Sequence, residues 1–328
     1  MKALVTGATG FTGSTLTKKL CRMSASVRVL ARSRAKAEKM FAGFDLEILQ
    51  GNIADPDVVD EAVRGADIVF HVAAIYRTAG IPAQTYWDVH VKGTENVFNA
   101  SLKHHVDRVV HCSTVGVHGH IARPPADEQY LFGPGDIYQI TKLEGERKAF
   151  EFYEKTGLPM SVIRPCAIYG PGDLRLYKLF KLASRKRVVL LGSGKITYHM
   201  VYVDDLVDAF ILAAEKEEAV GQAFIIGGEE RLDLNALIDL IADINGIAPV
   251  KKIHLPAKPF QLTGSIVERI CIPLQIEPPI YRRRVDFFTK NRAFDISKAK
   301  KQLGYSPRVS LRQGLSETAR WYREQGIL

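Results

Sequence analysis

Met1-Lys2-Ala3-Leu4-Val5-Thr6-Gly7-Ala8-Thr9-Gly10-Phe11-Thr12-Gly13-Ser14-Thr15-Leu16-Thr17-Lys18-Lys19-Leu20 opens the chain, and this stretch decides the fold. Its first six residues are a short apolar run that reads as a buried strand. Leu16 and Leu20 fall four apart, which is helical spacing. Strand, glycines, helix is the context that a phosphate-cradling turn requires. Gly7 permits a tight turn, Gly10 lets a pyrophosphate approach the backbone, and Gly13 lets the helix pack on the strand. The helix N-terminus then turns free N–H groups and a partial positive charge toward phosphates. The spacing is Gly-x-x-Gly-x-x-Gly, so the plainer reading, glycines serving only packing, stands beside it.

Working outward, the pattern repeats. Strands are expected at 27–31, 46–49, 67–71, 108–112 and 160–164, with helices around 34–41, 56–64, 84–104 and 137–156. This alternation predicts an α/β fold, a doubly wound parallel sheet covered by helices on both faces. After Arg164 the texture changes. Gly170-Pro171-Gly172, Gly192-Ser193-Gly194 and several prolines from 249 to 279 interrupt it, and shorter helices are expected at 204–215, 233–245, 297–303 and 310–325. The expected division is a dinucleotide-binding domain over 1–165, with a returning segment near 198–228, and a smaller mixed region over 166–328 that faces the substrate.

The chain has 328 residues, 46% of them hydrophobic and 25% charged, ordinary values for a globular protein of one large or two fused domains. The first residues enter a strand directly, so no signal peptide is expected. No apolar run approaches the ~20 residues of a membrane span. Cys21, Cys112, Cys166 and Cys271 are scattered and form neither a metal spacing nor a disulfide framework, which points to a reduced, cytoplasmic setting. The net charge of +9 is dispersed over small clusters such as Arg32-Ser33-Arg34-Ala35-Lys36 and Arg282-Arg283-Arg284. No basic strip interleaved with aromatics appears, so a small anionic cofactor or substrate is expected and nucleic acid is not. A homodimer is left open.

Tyr138 and Lys142 lie four apart on the expected 137–156 helix, which puts a phenol and an ammonium on one face. A free phenol has a pKa of ~10, and a neighbouring cation brings it down toward the working range of a general base. At the end of the second strand, Ala31-Arg32-Ser33-Arg34 carries no acid to hold the adenine ribose hydroxyls. Arg32, backed by Arg34, favours NADP, with NAD still open.

With these features the chain resembles the extended short-chain dehydrogenase/reductases. The resemblance rests on Thr6–Gly13, Gly51-Asn52-Ile53, His71-Val72-Ala73-Ala74, Val91-Lys92-Gly93-Thr94-Glu95-Asn96-Val97 and Cys112-Ser113-Thr114. It continues through Tyr138-Gln139-Ile140-Thr141-Lys142, Arg164-Pro165-Cys166-Ala167-Ile168-Tyr169-Gly170-Pro171-Gly172-Asp173, Val203-Asp204-Asp205-Leu206-Val207 and Phe294-Asp295-Ile296-Ser297-Lys298-Ala299-Lys300. It implies a Rossmann-type fold and a catalytic set in which Thr114 bonds the substrate oxygen and Tyr138 is the general acid/base. Lys142 would bind the nicotinamide ribose and lower the tyrosine pKa. The resemblance also implies that the cofactor lies against Gly7, Thr9, Gly10, Phe11, Thr12, Gly13, Arg32, Asn52, Ile53, Ala73, Ala74, Tyr138, Lys142 and Pro165. Two departures stand out. Asn52 takes the place of an Asp that meets the adenine, and His90 takes that of an Asn supporting a proton-relay water.

Within the family, sugar-nucleotide epimerases carry an Asn where this chain has Ala167. They carry an Arg, for the diphosphate, near the positions of Tyr198, His199 and Met200. The chain is more similar to the 3β-hydroxysteroid dehydrogenase and dihydroflavonol reductase-like group. An apolar stretch at 253–280, with Leu255, Phe260, Leu262, Ile266, Val267, Ile270, Ile272, Leu274 and Ile276, could line a pocket for an apolar ketone or alcohol, rest on a membrane surface, or simply be core. The expected function is an NAD(P)-dependent oxidoreductase acting on such a molecule. The alternative is a nucleotide-sugar 4-epimerase or dehydratase with tightly held NAD; a non-catalytic sensor of NADP(H) is disfavoured by the intact Thr114, Tyr138 and Lys142. Arg284 is a further candidate anion ligand, with a surface role the plainer reading.

Overall fold

The computed structural model describes all residues except Ala79, Ala248 and 261–281. Seven strands form the large sheet: β1 (Lys2–Thr6), β2 (Ser26–Ala31), β3 (Glu47–Gln50), β4 (Ile68–His71), β5 (Arg108–Cys112), β6 (Met160–Pro165) and β10 (Gln222–Ile226). Their order is β10-β6-β5-β4-β1-β2-β3 and every pairing is parallel. The order reverses between β1 and β4, the switch point beside whose carboxyl strand ends sheets of this kind bind their ligands.

Alternation along β1 explains why helices cover both faces. Ala3 and Val5 join a core with α1 (Phe11–Arg22), α2 (Arg34–Met40) and α8 (Val203–Glu215), through Leu16, Leu20, Ala37, Leu206 and Phe210. Leu4 joins the opposite core with α3 (Pro56–Val63), α5 (Gly93–Lys103) and α6 (Ile137–Thr156), through Val59, Val63, Val97, Phe98 and Ala149. Strands buried on both faces read as continuous apolar runs, as β1 does.

A third core belongs to the smaller region. It gathers α7 (Tyr177–Ala183), β8 (Arg187–Leu191), β9 (Thr197–Tyr202), α9 (Leu234–Ile244) and a terminal helix, Leu311–Glu324. There β9 pairs with β7 (Ala167–Tyr169) and β11 (Arg231–Asp233), while β8 pairs with β12 (Lys251–Leu255). Of the expected return over 198–228, α8 and β10 lie on the large sheet, whereas β9 lies in the small one.

Two expected helices take another form. The 84–104 helix is α4 (Ala83–Trp87), a π-helical turn at Asp88–Lys92, then α5; the 297–303 helix is a π turn at Ala299–Leu303. A π turn admits one extra residue per turn, which helical periodicity does not announce. From the 253–280 stretch, Leu262, Ile266, Val267, Ile270, Ile272, Leu274 and Ile276 lie outside the described residues, as do Cys271 and the side chains of Arg282, Arg283 and Arg284; Leu255 is 37% exposed rather than core. No described helix is long and apolar enough to cross a membrane.

Candidate active site

The glycine turn closes tightly on β4. Gly7 takes φ +71°, and a Cβ there would come within 2.7 Å of Ala73; a Cβ on Gly13 would lie 2.2 Å from the Gly7 carbonyl oxygen. Gly10 caps α1 without a side chain to bond its first amides, and no acid stands in the first turn. The turn therefore presents backbone N–H groups and the positive helix end at the switch point, a cradle that fits a pyrophosphate. The Thr6 hydroxyl accepts from the Ala73 N–H at 3.2 Å and ties the two loops together. Arg32 follows β2 and is exposed, while Arg34 is engaged, donating to the Ile48 carbonyl at 2.7 Å. Asn52 is exposed and its Oδ1 caps the Ala54 N–H at 3.2 Å; Ile53 is buried against Gly93. Pro165 ends β6. The dinucleotide candidates thus sit at the carboxyl ends of neighbouring strands.

Helix α6 starts and stops on strong local signals. The Asp136 carboxylate accepts the Gln139 N–H at its N-cap, and Gly157 at φ +70° ends it in the left-handed conformation. Tyr138 lies in its first turn. The ring meets Tyr76 and His90 edge-on, at 5.3 and 5.6 Å between centroids, and Arg77 lies 4.9 Å over it. Lys142, one turn on, is 2% exposed and donates from Nζ to the Cys112 carbonyl at 2.5 Å. That bond fixes α6 against the end of β5. Two residues beyond Cys112, Thr114 caps the 3-10 turn Val115–His118, its Oγ1 accepting the Gly116 N–H at 3.0 Å.

The electrostatics differ from the expectation that Lys142 lowers the Tyr138 pKa. Burial drives the phenol well above its ordinary range, Tyr76 adds to that, and the cations that pull it back are Arg77 and Arg175. The Lys142 ammonium is turned toward Cys112 and is itself pushed down by burial. The phenol in this form keeps its proton at neutral pH.

His90, which stands where the family carries the relay Asn, is bonded to protein at both ring nitrogens. Its Nε2 accepts the Ile75 N–H at 3.0 Å, so Nδ1 carries the proton and donates to Thr141 Oγ1 at 2.8 Å; that hydroxyl donates on to the Ile137 carbonyl. Both ring nitrogens are spent on protein, and no relay water is held through the ring. A parallel chain runs beside it. The Thr6 hydroxyl donates to His71 Nδ1 at 2.9 Å, His71 Nε2 donates to Thr94 Oγ1 at 3.0 Å, and Thr94 donates to the His90 carbonyl at 2.7 Å. Burial holds both imidazoles neutral, His71 down to about 3 and His90 to about 2. These threonine–histidine chains fasten β1, β4, the π turn, α5 and α6 into a rigid floor beneath Tyr138. The π turn itself sets His90 there, a placement that helix periodicity hides.

Two arginines escaped the sequence reading. Arg77, two residues past Ile75, donates from Nε to Asp136 Oδ2 at 2.6 Å, an ion pair across 59 residues. Arg175, two residues beyond the quoted Asp173, is bound to that buried carboxylate at 2.6 Å. The acid at 173 was the only local signal.

The positions where a diphosphate ligand is expected in epimerases are otherwise occupied. Ala167 stands on β7. Tyr198, His199 and Met200 are all buried in β9; the Tyr198 hydroxyl donates to the Phe287 carbonyl at 2.5 Å and His199 Nε2 to the Gly228 carbonyl at 2.7 Å.

A profile of the NAD dependent epimerase/dehydratase family matches residues 3–227. The chain is 31% identical to a 3β-hydroxysteroid dehydrogenase/Δ5→4-isomerase of Mycobacterium tuberculosis over 339 aligned residues, covering 98% of this chain and 90% of that protein. It is 30% identical to a 2-alkyl-3-oxoalkanoate reductase of Stenotrophomonas maltophilia over 329 residues, covering 96% and 97%. Among solved structures it is similar to a UDP-glucose 4-epimerase of Thermotoga maritima bound to UDP-glucose, at 25% identity and TM-score 0.78, over 99% of both chains.

Proposed function

This chain belongs to the NAD-dependent epimerase/dehydratase family and is an enzyme of the extended short-chain dehydrogenase/reductase type; from that premise we propose that it moves a hydride between a nicotinamide and a ketone or secondary alcohol on an apolar, sterol- or flavonoid-like small molecule. The observation that carries this is Tyr138, a protonated phenol held over a rigid floor beside the glycine cradle. Nicotinamide, when bound, supplies or accepts the hydride. Gly7 to Gly13 would cradle its pyrophosphate, and Lys142 would meet its ribose. The Thr114 hydroxyl holds the substrate oxygen, and Tyr138 gives its proton to the alkoxide as charge develops there, or takes it back in the reverse direction. The retained proton suits carbonyl reduction.

The choice against a sugar nucleotide rests on positions 167 and 198–200. A UDP-sugar brings a diphosphate into the cleft, and leaving it unpaired there costs several kcal/mol. Tyr198 and His199 are spent on backbone carbonyls and Ala167 offers no donor. The names of the mycobacterial and Stenotrophomonas relatives, a hydroxysteroid dehydrogenase and an oxoalkanoate reductase, support the same direction. The deciding experiment follows nicotinamide absorbance with a panel of apolar ketones, alcohols and UDP-sugars, alongside calorimetry with UDP and UDP-glucose. Stoichiometric cofactor turnover with an apolar substrate and weak UDP binding is expected. Micromolar UDP binding with epimerisation and no net absorbance change would replace this reading by the 4-epimerase.

The cofactor proposed is NADP. Arg32 is exposed past β2, no acid stands there, and Arg34 is already engaged, so Arg32 is the residue for a 2′-phosphate. A charge-assisted bond of roughly 1.5–3 kcal/mol corresponds to about 10–100-fold in affinity. NADPH is therefore expected to bind more tightly than NADH by that order, and Arg32→Asp to reverse the preference. Titration of nicotinamide fluorescence reads both; equal affinities in the unmodified protein would remove the argument. A reduced, cytoplasmic setting goes with this proposal.

A further inference from the structure

β8 and β12 pair in parallel, with Arg187 against Lys251, Val189 against Ile253 and Leu191 against Leu255. Residues two apart share a face of a strand, so these three pairs form one row. The reverse side fixes which way the row points. Val188 and Leu190 are buried in the third core, and a slip of one residue would turn them outward. The row itself meets solvent. Val189 is 50% exposed, Ile253 40% and Leu255 37%; Arg187 and Lys251 are exposed and Leu191 is half-buried.

The fold gains little from this arrangement. Three apolar side chains stay at the surface, and two cations stand directly opposite each other, a cross-strand pairing that destabilises a sheet. More cations bracket the row. Arg185 and Lys186 precede Arg187, Lys195 follows Leu191 by four residues, and Lys258 follows Leu255 by three; all four are exposed. None of these six cations forms an ion pair among the described residues. Asp239 of α9 is taken by Lys252, on the reverse side of β12, and Asp243 by Arg312. Charge therefore selects the occupant of this face. A second copy of the chain would set the same cations against these. The row holds no aromatic side chain, the class that anchors most protein interfaces. An apolar strip flanked by lysine and arginine is instead the chemistry of a surface that lies on anionic lipid.

We infer that the outward face of β8 and β12 is a docking surface for an anionic phospholipid bilayer. Arg187, Lys251 and the cations beside them meet headgroup phosphates, and Val189, Ile253 and Leu255 enter the boundary between headgroups and acyl chains. This goes beyond the hydride-transfer reading and does not depend on it.

The test is co-sedimentation of the full chain with vesicles of phosphatidylcholine alone and of phosphatidylcholine mixed with phosphatidylglycerol. At about 0.1 M salt the anionic vesicles are expected to bind at least about tenfold more tightly than the neutral ones, with a gap that narrows as salt rises. One cation near such a bilayer is worth about fivefold in affinity, so Arg187→Glu with Lys251→Glu should cost at least about 25-fold. Replacing Val189, Ile253 and Leu255 together by serine should leave the salt-sensitive part and remove the binding that survives about 0.5 M salt. Val189→Trp should bind more tightly and shift tryptophan emission to the blue on anionic vesicles only, a readout that needs no loss of binding. Arg147→Glu with Lys155→Glu, at exposed positions of α6, changes the net charge equally and should weaken binding less than about threefold. Equal binding to neutral and anionic vesicles, or to neither, would overturn the surface. So would an equal loss from the α6 control, an unshifted emission from Val189→Trp, or a serine variant that binds as the unmodified protein does. A dimer in sedimentation velocity that the Arg187 and Lys251 charge reversals dissolve would give the face to a second copy and overturn the lipid assignment.

Discussion

Tyr138→Phe is expected to lower kcat by about 10²–10⁴-fold while leaving cofactor affinity within a factor of two. The phenol's proton is needed only as charge develops on the substrate oxygen, so its loss falls on the transition state and not on ground-state binding. The structure makes the substitution clean. The edge-on contacts with Tyr76 and His90 and the Arg77 cation belong to the ring, which phenylalanine keeps. No described residue hydrogen-bonds the Tyr138 hydroxyl, so its removal orphans no partner. Lys142→Met should behave differently. It removes a buried ammonium that grips the Cys112 carbonyl, and it is expected to weaken both cofactor binding and rate. Single-turnover kinetics on a confirmed substrate, with cofactor titration in parallel, separates the two patterns. A Tyr138→Phe protein that keeps most of its activity would sink the proton-transfer assignment.

The parts of the molecule that were legible are those where local chemistry and global fold agree. The Ile137–Thr156 helix could be read to its ends because Asp136 caps it and Gly157 releases it. β1 and the glycine turn were legible for the same reason, an apolar run followed by residues that only tight backbone contacts demand. The small sheet was not. β8 holds a short apolar run, Val188–Leu191, but it overlaps the basic cluster at 184–187 and its partner β12 lies more than sixty residues on, so local signals did not set it apart. β9 places a tyrosine and a histidine in the core, and what makes this tolerable is a pair of bonds to Phe287 and Gly228, far along the chain. The candidate site divides in the same way. Tyr138 and Lys142 share a helical face that spacing reveals, whereas Arg77 finds Asp136 only through the fold. His90 was noticed as an oddity, but its partners, Ile75 and Thr141, come from a loop and a helix that the π turn brings together.

The floor beneath Tyr138 should make the protein acid-labile well before its carboxylates titrate. His71, His90 and His111 are each 1% exposed, and burial holds all three far below the ordinary imidazole range. The Lys142 ammonium acts on each in the same direction. His71 and His90 are hydrogen-bonded as neutral rings, and His111, between His71 and Phe98, has no partner for either nitrogen among the described residues. A folded-state pKa below the unfolded value of ~6.5 means that the unfolded chain binds the proton first. The stabilisation is therefore complete above that value and is lost as pH falls below it, down toward the folded values of about 3 and about 2 for His71 and His90. Between pH 7 and 5.5 His71 and His90 each give up about 1 kcal/mol and His111 moves in the same direction, together a sizeable part of the ~5–15 kcal/mol that holds a domain. His118 and His199, also lowered by burial, add to the fall, while Glu128, Asp204 and Asp205, pushed up by burial, oppose it at the acid end. Urea unfolding across pH 5.5–8 measures the fall directly. His111→Leu is the sharpest probe, because it removes an imidazole that bonds to nothing described; it should take away about a quarter to a third of the pH-dependent loss. Stability that is flat from pH 7 to 5.5, or a His111→Leu protein with an unchanged fall, would show that these rings do not carry the acid sensitivity assigned to them.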